Sequence, residues 1–524
     1  MGSLFSKPPP PATKPRDVER VLSSSKHIDG PVREQLMALD KAIKGKVLFA
    51  PKDHPLGGTD DSDAYHQQRE RPFYFNDCNY PSAIVLVETV DDIATTMRLM
   101  SSLARNDTFH AEEKKDETQH GRPTYSLGIA GGCHSSYCMV EKSIVIDMEK
   151  MIDVKVDTQA KTVSVQGGAK IYHVHDALKG TGFGFMTGTN TDTGVSGLTL
   201  VGGAGYLGGQ AGFACDTVLE AEVVLPSGQI VIANDDNDYK DLLRGLRGGG
   251  SNFGIVTKWV FKLFDVTNAM AGMVVHFAPT KYRLKHVLQN YTKIIDEEIP
   301  DAAGTIMALP PGEPVCINVV SMVGDEIKDV EKYTDVPFLS KITNLGAWFR
   351  ASNNLGRKDY ITEVAPMLEP IQQRKYGSSV GVLVYTIDEA LLDALVHFCR
   401  VDIPGKNSKP VILVISITGE MRRNDGSKSS IRHRKAVAWI VIEASYEQHA
   451  TKEQIKNVTD WADRVKAKLV EIGGEDGPHN FRDSDGRRIK FFTDEQRVFL
   501  EQTKKKYDPQ NLLTLNKNIV TSTE

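Results

Sequence analysis

The pattern of apolar and polar positions divides the chain into stretches of different character. Residues 1–77 show weak periodicity and many polar positions, which predicts a tail, a short helix over residues 32–43 and a loop. A buried strand is predicted at residues 84–87. The sequence TVDD at residues 89–92 then forms a capping box before apolar positions at helical spacing. After this tail, helix and loop, the continuously ordered part of the chain is expected to start near Tyr80.

Residues 127–264 show a different pattern, in which short apolar strands alternate with glycine clusters. The predicted strands lie at residues 144–146, 162–165, 223–225, 230–232 and 253–264. Because Pro226, Ser227 and Gly228 separate two of these strands, that pair is expected to form a hairpin.

Glycine clusters thin out over residues 265–477, where strands alternate with amphipathic helices. Strands are predicted at residues 273–277, 315–319, 411–417 and 439–444, and helices at residues 281–298 and 452–472. This pattern predicts a separate α+β domain with helices on one face of a sheet. A charged helix is predicted at residues 493–506.

Composition bounds the class of protein and its partners. The 524 residues exceed the size of one ordinary core. The 63 basic and 68 acidic residues are well mixed, with no basic stripe between aromatics, so nucleic acid is not an expected partner. The six cysteines form no CxxC pair, and no metal site is predicted. Without a signal-like apolar stretch, the chain is expected to be cytoplasmic and not secreted.

The first residues, MGSLFS, match the pattern for N-myristoylation, with Gly2 as acceptor and Ser6 at the preferred hydroxyl position. Four prolines follow at positions 8–11 and predict a stiff spacer. The alternative is chance, because the pattern is short. A single myristoyl chain would give reversible membrane contact.

Four glycine-rich segments carry the main chemical signal. They are Gly131-Gly132-Cys133-His134-Ser135, Gly188-Thr189-Asn190 with Gly194 and Gly197, Gly202 to Gly209, and Gly248 to Gly254. Backbone without a Cβ can approach a diphosphate and point N–H groups at it. Tight turns explain any one cluster, but four clusters beside strands predict a chain that wraps one long anionic ligand.

The third segment also fits the GxGxxG dinucleotide fingerprint, with Glu220 and Glu222 as candidate ribose acids. Only the short run of residues 198–201 precedes it, and a strand and hairpin follow where a crossover helix is expected. A nicotinamide-dependent dehydrogenase is therefore the alternative interpretation.

These residues resemble the vanillyl-alcohol-oxidase superfamily of flavin oxidoreductases, with its PCMH-type FAD domain and a berberine-bridge-enzyme-like C-terminus. The matching stretches are Tyr80-Pro81, residues 129–135, residues 194–216, residues 246–256, Tyr507-Asp508-Pro509-Gln510-Asn511 and residues 516–519. Their order and spacing make the resemblance specific, and the middle of the chain resembles the family only in its strand–helix pattern.

The resemblance implies an α+β fold in which a two-part PCMH-type FAD-binding domain carries an inserted substrate domain of antiparallel sheet and helices. The corresponding boundaries are residues 1–76 for a tail and lead-in segment, 77–265 for the FAD domain and 266–477 for the substrate domain. Residues 478–524 would return to the FAD domain.

In that family the histidine of the GGxHS-type segment is linked to the flavin 8α carbon, and His134 occupies this position. Some members add a cysteinyl link, but the matching residue is Asn190, so FAD with one covalent link is implied. The residue before the histidine is usually glycine and is Cys133 in this chain. If that position needs a positive φ, cysteine would be strained there.

The remaining site residues follow from the same comparison. The predicted cofactor contacts are Gly131, Gly132, Cys133, His134, Ser135, Asn190, Thr193, Gly194, Gly197, Gly202, Gly203, Gly205, Gly249, Gly250, Asn252, Gly254, Ile255 and Asn516. The family's Y-x-N-[YF] segment reads Pro478-His479-Asn480-Phe481, so its first tyrosine is missing. The catalytic candidates are Asn480, Tyr206 and His479.

The prediction is an FAD-dependent oxidoreductase that removes hydride from an alcohol, sugar or secondary-metabolite carbon. The substrate is a small molecule, and molecular oxygen is the expected acceptor. Besides the nicotinamide dehydrogenase, the second alternative is a flavin-binding scaffold without catalysis, because Pro478 replaces the usual tyrosine. The substrate is expected between the flavin ring and the sheet of the middle domain.

Overall fold

The computed structural model describes residues 30–51, 62–107, 126–135, 137–297, 299–369, 374–405, 408–431, 434–477, 492–515 and 518–519. These residues form three sheets with helices packed against them. Among them, no helix combines the length and the apolar character that a membrane crossing requires.

The first sheet has four strands in the order β1-β2-β4-β3, and β1 is antiparallel to β2 while β2 and β3 are parallel to β4. The elements of this part are α1 (Gly30–Ala42), β1 (Lys46–Phe49), α2 (Ser62–Arg69), β2 (Ala83–Leu86), α3 (Val90–Asp107), β3 (Leu127–Ala130) and β4 (Ile144–Asp147). The capping box at the start of α3 is confirmed, because the Asp92 amide donates to Thr89 Oγ1 and the Thr89 amide to Asp92 Oδ2, both at 3.2 Å. Apolar side chains of α1, α3 and the sheet form one core.

The second sheet has six strands, with the path β5-β6-β10-β8-β9 and with β7 also paired to β10. Its elements are β5 (Val154–Asp157), β6 (Thr162–Gln166), α4 (Ile171–Leu178), β7 (Phe183–Phe185), α5 (Val195–Thr199), α6 (Gly208–Ala211), β8 (Val218–Val224), β9 (Ile230–Asn234), α7 (Lys240–Leu246) and β10 (Ile255–Asp265). The predicted hairpin is confirmed as β8 and β9, which pair antiparallel.

The elements around the third glycine-rich segment do not have the order that a dinucleotide fingerprint requires. The short run of residues 198–201 that precedes the fingerprint lies in and just after the short helix α5. The four-residue helix α6 follows the glycines, and β8 then runs antiparallel to β10. Since a dinucleotide fold needs parallel strands joined by a long helix, the nicotinamide alternative is wrong for this segment.

The third sheet has nine strands, with the path β14-β11-β13-β12-β17-β18-β16-β19 and with β15 paired to β11. Its strands are β11 (Ala269–Phe277), β12 (Ala303–Leu309), β13 (Val315–Val323), β14 (Phe349–Asn353), β15 (Gly356–Arg357), β16 (Tyr376–Val384), β17 (Val411–Ser416), β18 (Ala438–Tyr446) and β19 (Glu475–Asp476). Its helices are α8 (Lys281–Glu297), α9 (Pro337–Ile342), α10 (Glu389–Arg400), α11 (Glu420–Arg423) and α12 (Lys452–Glu471). All the strand pairs of this sheet are antiparallel.

Side chains alternate across the third sheet with a period of two, as in any strand. Val382, Ile440 and Ile442 point into a core shared with α8, α10 and α12. The intervening residues Val441 and Glu443 face the opposite direction and line a cavity. The sheet therefore separates a helical core from the candidate site.

The last described helix, α13 (Asp494–Tyr507), brings the chain back to the first two sheets. Lys504 is 1% exposed and pairs with Asp508, which is 0% exposed, at 2.6 Å. The Lys504 ammonium also donates to the carbonyls of Asn252 and Leu513. Asp508 accepts in addition from the amides of Leu512 and Leu513. This buried pair explains the role of the aspartate in the Tyr507-Asp508-Pro509 stretch.

Candidate functional site

A cavity of about 460 Å³ lies between the glycine-rich segments and the third sheet. Residues from all four glycine-rich segments line one side of it. Residues from β16, β17 and β18 line the opposite side, and Phe73, Tyr74 and Asn76 contribute from a preceding segment. We call the first side the cofactor side and the second the sheet side.

The cofactor side is built by close approach of backbone to backbone. A Cβ on Gly132 would overlap the backbone of Gly194, and one on Gly194 would meet the Gly132 amide nitrogen at 2.6 Å. The first and second glycine-rich segments can therefore touch only because both positions are glycine. The Gly131 carbonyl accepts from Arg71 at 2.7 Å, and Arg71 also pairs with the buried carboxylate of Asp147.

His134 projects from this side, and its ring stacks on Phe73 with 3.9 Å between the centroids. Its Nε2 atom is shielded from solvent and has no hydrogen-bond partner among the described residues. Burial lowers the pKa of His134 to about 4, although Asp192 opposes that shift. The imidazole is therefore neutral at pH 7 and keeps a lone pair for bond formation.

Cys133 adopts the left-handed conformation, with φ of 56°. The prediction that a positive φ would place this cysteine under strain therefore applies to the structure. Its carbonyl accepts from the Phe73 amide at 2.8 Å, which fixes the loop against residues 71–77. The segment of residues 71–77, whose Phe73 ring stacks on His134, thus also holds Cys133 in this strained conformation.

The sheet side presents one ion pair among apolar residues. Glu443 of β18 pairs with Lys375, and their side chains are 10% and 18% exposed. Ser379 is the cross-strand neighbour of Glu443 on β16. Lys375 is also close enough to lower the pKa of His134 through its charge, after burial and Lys170. The Glu443 carboxylate therefore lines the same cavity as the histidine, with the Lys375 ammonium paired to it.

Residues 71–77 connect the two sides. The Phe75 amide donates to the Lys375 carbonyl at 3.0 Å, and the Gly377 amide donates to Asn76 Oδ1 at 2.8 Å. The Phe75 ring lies 5.0 Å from that of Tyr376. This segment lies where the sequence predicted a tail and loop, yet it positions both His134 and Lys375.

Many of the predicted cofactor contacts line the cavity, although their roles stay predictions. Those that line it are Gly131, Gly132, Cys133, His134, Ser135, Asn190, Thr193, Gly194, Gly197, Gly203, Gly254 and Ile255. The residues His479, Asn480 and Asn516, and Gly2 with its proposed myristoyl group, lie outside the described residues.

Five predicted contacts do not line the cavity: Gly202, Gly205, Gly249, Gly250 and Asn252. A Cβ on Gly205 would overlap the Thr187 carbonyl oxygen, and one on Gly249 would overlap that of Gly245. The Asn252 side chain accepts from the Ile519 amide at 3.1 Å. These residues shape the fold around the cavity and do not line it.

Tyr206, one of the catalytic candidates, also lies away from the cavity. Its side chain is 4% exposed and packs in an apolar core to which the second and third sheets both contribute. Its hydroxyl has no hydrogen-bond partner among the described residues. Burial raises the pKa of the Tyr206 hydroxyl well above its ordinary value. A hydroxyl so placed does not meet a substrate in the cavity.

The sequence did not indicate that four residues at or next to the cavity belong to the candidate site: Arg71, Phe73, Lys375 and Glu443. The only available signal for Glu443 was a charged residue inside the apolar strand that was predicted at residues 439–444. No group of three or more His, Cys, Asp or Glu side chains that could hold a metal occurs in the described part of the chain.

Comparison with known proteins identifies the domain. Residues 118–234 match the family profile of an FAD binding domain. The FAD-linked oxidoreductase pgmH of Aspergillus terreus is 31% identical over 280 residues, which is 52% of this chain and 53% of pgmH. An FAD-linked oxidoreductase of Dictyostelium discoideum is 24% identical over 469 residues, which is 87% of this chain and 93% of that protein.

Solved structures show the same fold along nearly the whole chain. A carbohydrate oxidase from Microdochium nivale has a TM-score of 0.76 at 18% identity and covers 93% of this chain and 100% of its own. Glucooligosaccharide oxidase from Acremonium strictum has a TM-score of 0.74 at 17% identity and covers 94% and 98%. The latter carries a 6-S-cysteinyl, 8α-N1-histidyl FAD.

The chain therefore carries an FAD binding domain within the fold of FAD-linked oxidases. The expected FAD binding domain and the expected fold of FAD-linked oxidases are confirmed, and the relatives reported above are FAD-linked oxidoreductases. The residues present fit the cofactor, because glycine backbone lines one side of the cavity and the solvent-shielded Nε2 atom of His134 has no partner.

Proposed function

We propose that this protein is an FAD-linked oxidase that removes a hydride from an alcohol carbon, with molecular oxygen as the acceptor. The observation that carries the proposal is Glu443, which lines the same cavity as His134 and pairs with Lys375. An alcohol must lose its hydroxyl proton as hydride leaves its carbon, so a carboxylate at this position is the group that the reaction needs.

We further propose that His134 carries FAD covalently. Its ring is held by the stack on Phe73, and the lowered pKa keeps it neutral. The histidyl link of the Acremonium enzyme supports this assignment. Asn190 lines the cavity but has no thiol, so a single link is expected.

The chain's own residues bind and orient the substrate and move its proton. When bound, FAD supplies the hydride acceptor at N5. Glu443 would accept the hydroxyl proton, and Lys375 would orient that carboxylate by their charge-assisted contact. Trp439 and Val441 on the same face of β18 exclude water from the carboxylate.

The substrate class follows from the relatives and from the cavity. Two of the structural neighbours described above oxidise carbohydrates, which supports a sugar hydroxyl as the first candidate. Aromatic residues at the cavity, including Tyr74, Trp439 and Tyr446, provide flat surfaces for a ring. A hydroxylated secondary metabolite offers the same alcohol chemistry and is the second candidate.

Absorption spectra and intact masses test the cofactor part of the proposal. Purified protein is expected to be yellow and to keep its flavin after acid precipitation. The His134→Ala variant is expected to release its flavin into the supernatant. Acid-extractable flavin in the wild type would contradict the covalent link.

A substrate panel tests the reaction. Mono- and oligosaccharides, aromatic alcohols and aliphatic alcohols are mixed with the protein without oxygen, and flavin bleaching is followed. Air is then admitted and peroxide is measured. Bleaching without peroxide would indicate a dehydrogenase, and no bleaching with any alcohol would favour the non-catalytic scaffold.

Three earlier expectations stay predictions. Asn480→Ala is expected to slow flavin reduction without loss of FAD. Incorporation of labelled myristate in a eukaryotic host tests Gly2 as an acylation site, and cell fractionation tests the cytoplasmic location. The domain boundaries also remain predictions.

A further inference from the structure

Three aromatic rings lie together at one end of the third sheet, outside the cavity. Phe277 ends β11, and its ring stacks on that of Phe349 of β14 with 4.7 Å between the centroids. The Trp348 ring lies 6.0 Å from that of Phe277. Trp348 and Phe349 are 57% and 55% exposed. None of the three lines the cavity, and we call them the aromatic edge.

Strand pairing explains why these rings meet at the surface. Phe277 and Phe349 are cross-strand partners, so their side chains leave the sheet on the same face. The Trp348 amide donates to the Phe277 carbonyl at 3.1 Å, which holds the tryptophan next to this pair. β14 is the terminal strand of the sheet path. The rings are therefore held by paired backbone, while more than half of two of them stays exposed.

Cations lie beside the aromatic edge. Arg350 follows its rings directly in β14 and is exposed. Arg283 of α8 donates to the Gly346 carbonyl at 2.9 Å, so the start of this helix lies against the segment that leads into β14. The first residue of the helix, Lys281, is also exposed. Three positive charges are therefore placed around the aromatic rings.

These charges are not neutralised by ion pairs. Within the part of the chain that the structure describes, no carboxylate pairs with Lys281, Arg283 or Arg350. Glu313 is the acidic residue in the turn before β13, and its charge acts on Arg400 of α10. These five side chains together carry a net positive charge.

We propose that the aromatic edge and its cations form a docking surface for an anionic lipid membrane. Aromatic side chains enter the interfacial region of a bilayer, and basic residues beside them attract negatively charged headgroups. Because the surface lies outside the cavity, the inference does not rest on the proposed oxidase function. It would add a second contact to the acyl group predicted at Gly2, since a single acyl chain binds membranes only reversibly.

The charges favour a membrane over two other partners. A second copy of the chain docked through the same surface would bring identical cations together, because a two-fold interface is self-complementary. A neutral oligosaccharide offers a flat ring to an aromatic side chain but no negative charge to Lys281, Arg283 and Arg350. An anionic bilayer matches both the rings and the charges.

Sedimentation with vesicles tests the proposal. The 524-residue chain is made in a bacterial host, so that Gly2 carries no acyl group, and is mixed with vesicles of phosphatidylcholine with or without phosphatidylserine. Binding is expected only to vesicles that contain phosphatidylserine, and it should weaken as salt is added, because ions screen the charges. Failure to bind, or equal binding to both kinds of vesicle, would overturn the proposal.

Charge variants locate the surface. Lys281→Gln combined with Arg350→Gln should weaken binding to the phosphatidylserine vesicles by about 30-fold, or about fivefold for each charge. The matched control is Lys155→Gln combined with Lys262→Gln, which removes two cations from β5 and β10 and should bind like the wild type. All four residues are exposed, so thermal unfolding should be unchanged in both variants. Equal weakening in the two double variants would contradict a site at the aromatic edge.

Tryptophan fluorescence reports contact of the aromatic edge itself. The chain has four tryptophans, of which Trp259 and Trp461 are buried and Trp439 lines the cavity. Lipids with brominated acyl chains should therefore quench mainly the emission of Trp348 when the protein is bound. Trp348→Phe should still sediment with the vesicles but lose this quenching. Unchanged quenching in that variant would refute insertion at this surface.

Two further measurements cover the other partners. If the wild type binds no vesicle but elutes as a dimer that Trp348→Ser separates, the aromatic edge joins two copies of the chain. If Trp348 emission responds to a neutral oligosaccharide and not to vesicles, the edge binds sugar. Either result would overturn the membrane proposal and would leave the proposed oxidase reaction untouched.

Discussion

The two sides of the cavity are built from different parts of the polypeptide. On the cofactor side, glycine-rich segments present backbone, and Gly132 lies directly against Gly194. On the sheet side, β18 presents side chains, and the ion pair of Glu443 with Lys375 stands among apolar neighbours. Under the proposed function, the cofactor would be held mainly by main chain and the substrate would be contacted by side chains. Changes on the two sides should therefore have separable effects.

The largest effect is expected on the sheet side, from Glu443→Gln. Loss of the proton acceptor should lower the rate of flavin reduction by about 100- to 10,000-fold, with FAD content unchanged. Stopped-flow bleaching without oxygen measures it. The control is Glu447→Gln, which alters an exposed partner of Lys409. A wild-type rate in Glu443→Gln would remove this carboxylate from the reaction.

Beneath the cofactor side, Lys504→Met tests the buried pair with Asp508. An unpaired buried carboxylate should lower the free energy of unfolding by about 3–5 kcal/mol. Urea denaturation measures the change. Lys506→Met is the control, because Lys506 is 52% exposed and pairs with Asp241 at the surface. Equal stability of the two variants would show that the pair is not essential to the fold.

Acid should weaken the fold both in the region of the second sheet and in the third sheet, because each contains a buried histidine that does not line the cavity. Burial lowers the pKa of His175 in α4 and of His276 in β11 to about 4. The unfolded chain binds these protons first, so stability is complete above about pH 6.5 and is lost as pH falls towards 4. At pH 5 each histidine should lower the free energy of unfolding by about 2 kcal/mol. His276→Phe should flatten this dependence, and an unchanged pH profile would contradict the assignment.

The smallest effect is expected from Gly132→Ala on the cofactor side. The added methyl group would overlap Gly194 and should lower the free energy of unfolding by about 1–3 kcal/mol, with loss of FAD. Gly197→Ala is the control for stability, because a Cβ there has no atom within 4 Å. Thermal unfolding and flavin absorbance measure both variants. Normal FAD content in Gly132→Ala would show that the two segments can separate.

The cofactor side was predictable because its signal is local. Glycine clusters beside strands mark close approach of backbone, and the first of them led to His134 and to the warning about Cys133. The capping box at Thr89 and the hairpin of β8 and β9 are likewise encoded within a few residues. In contrast, Gly205 and Gly249 show that a glycine in the right motif can serve chain packing instead of a ligand.

The sheet side could not be predicted, because its chemistry depends on distant segments. Lys375 meets Glu443 only when β16 and β18 pair, and the loop before β16 contacts residues 71–77. No motif or spacing in the sequence indicates that Lys375 and Glu443 form an ion pair. Phe73 was placed in a loop for the same reason, since its partner His134 is far along the chain.

The return of the chain through α13 has a consequence for biosynthesis. Leu512 and Leu513 belong to the same core as Val85 and Ile146 of the first sheet, which are synthesised several hundred residues earlier. At about 5–20 residues per second, tens of seconds separate the emergence of that sheet from that of the residues that close its core. During this interval the nascent chain exposes apolar surface and holds an incomplete flavin pocket. Flavin loading is therefore expected to be a late event in synthesis, because residues that complete the core and the cavity wall emerge last.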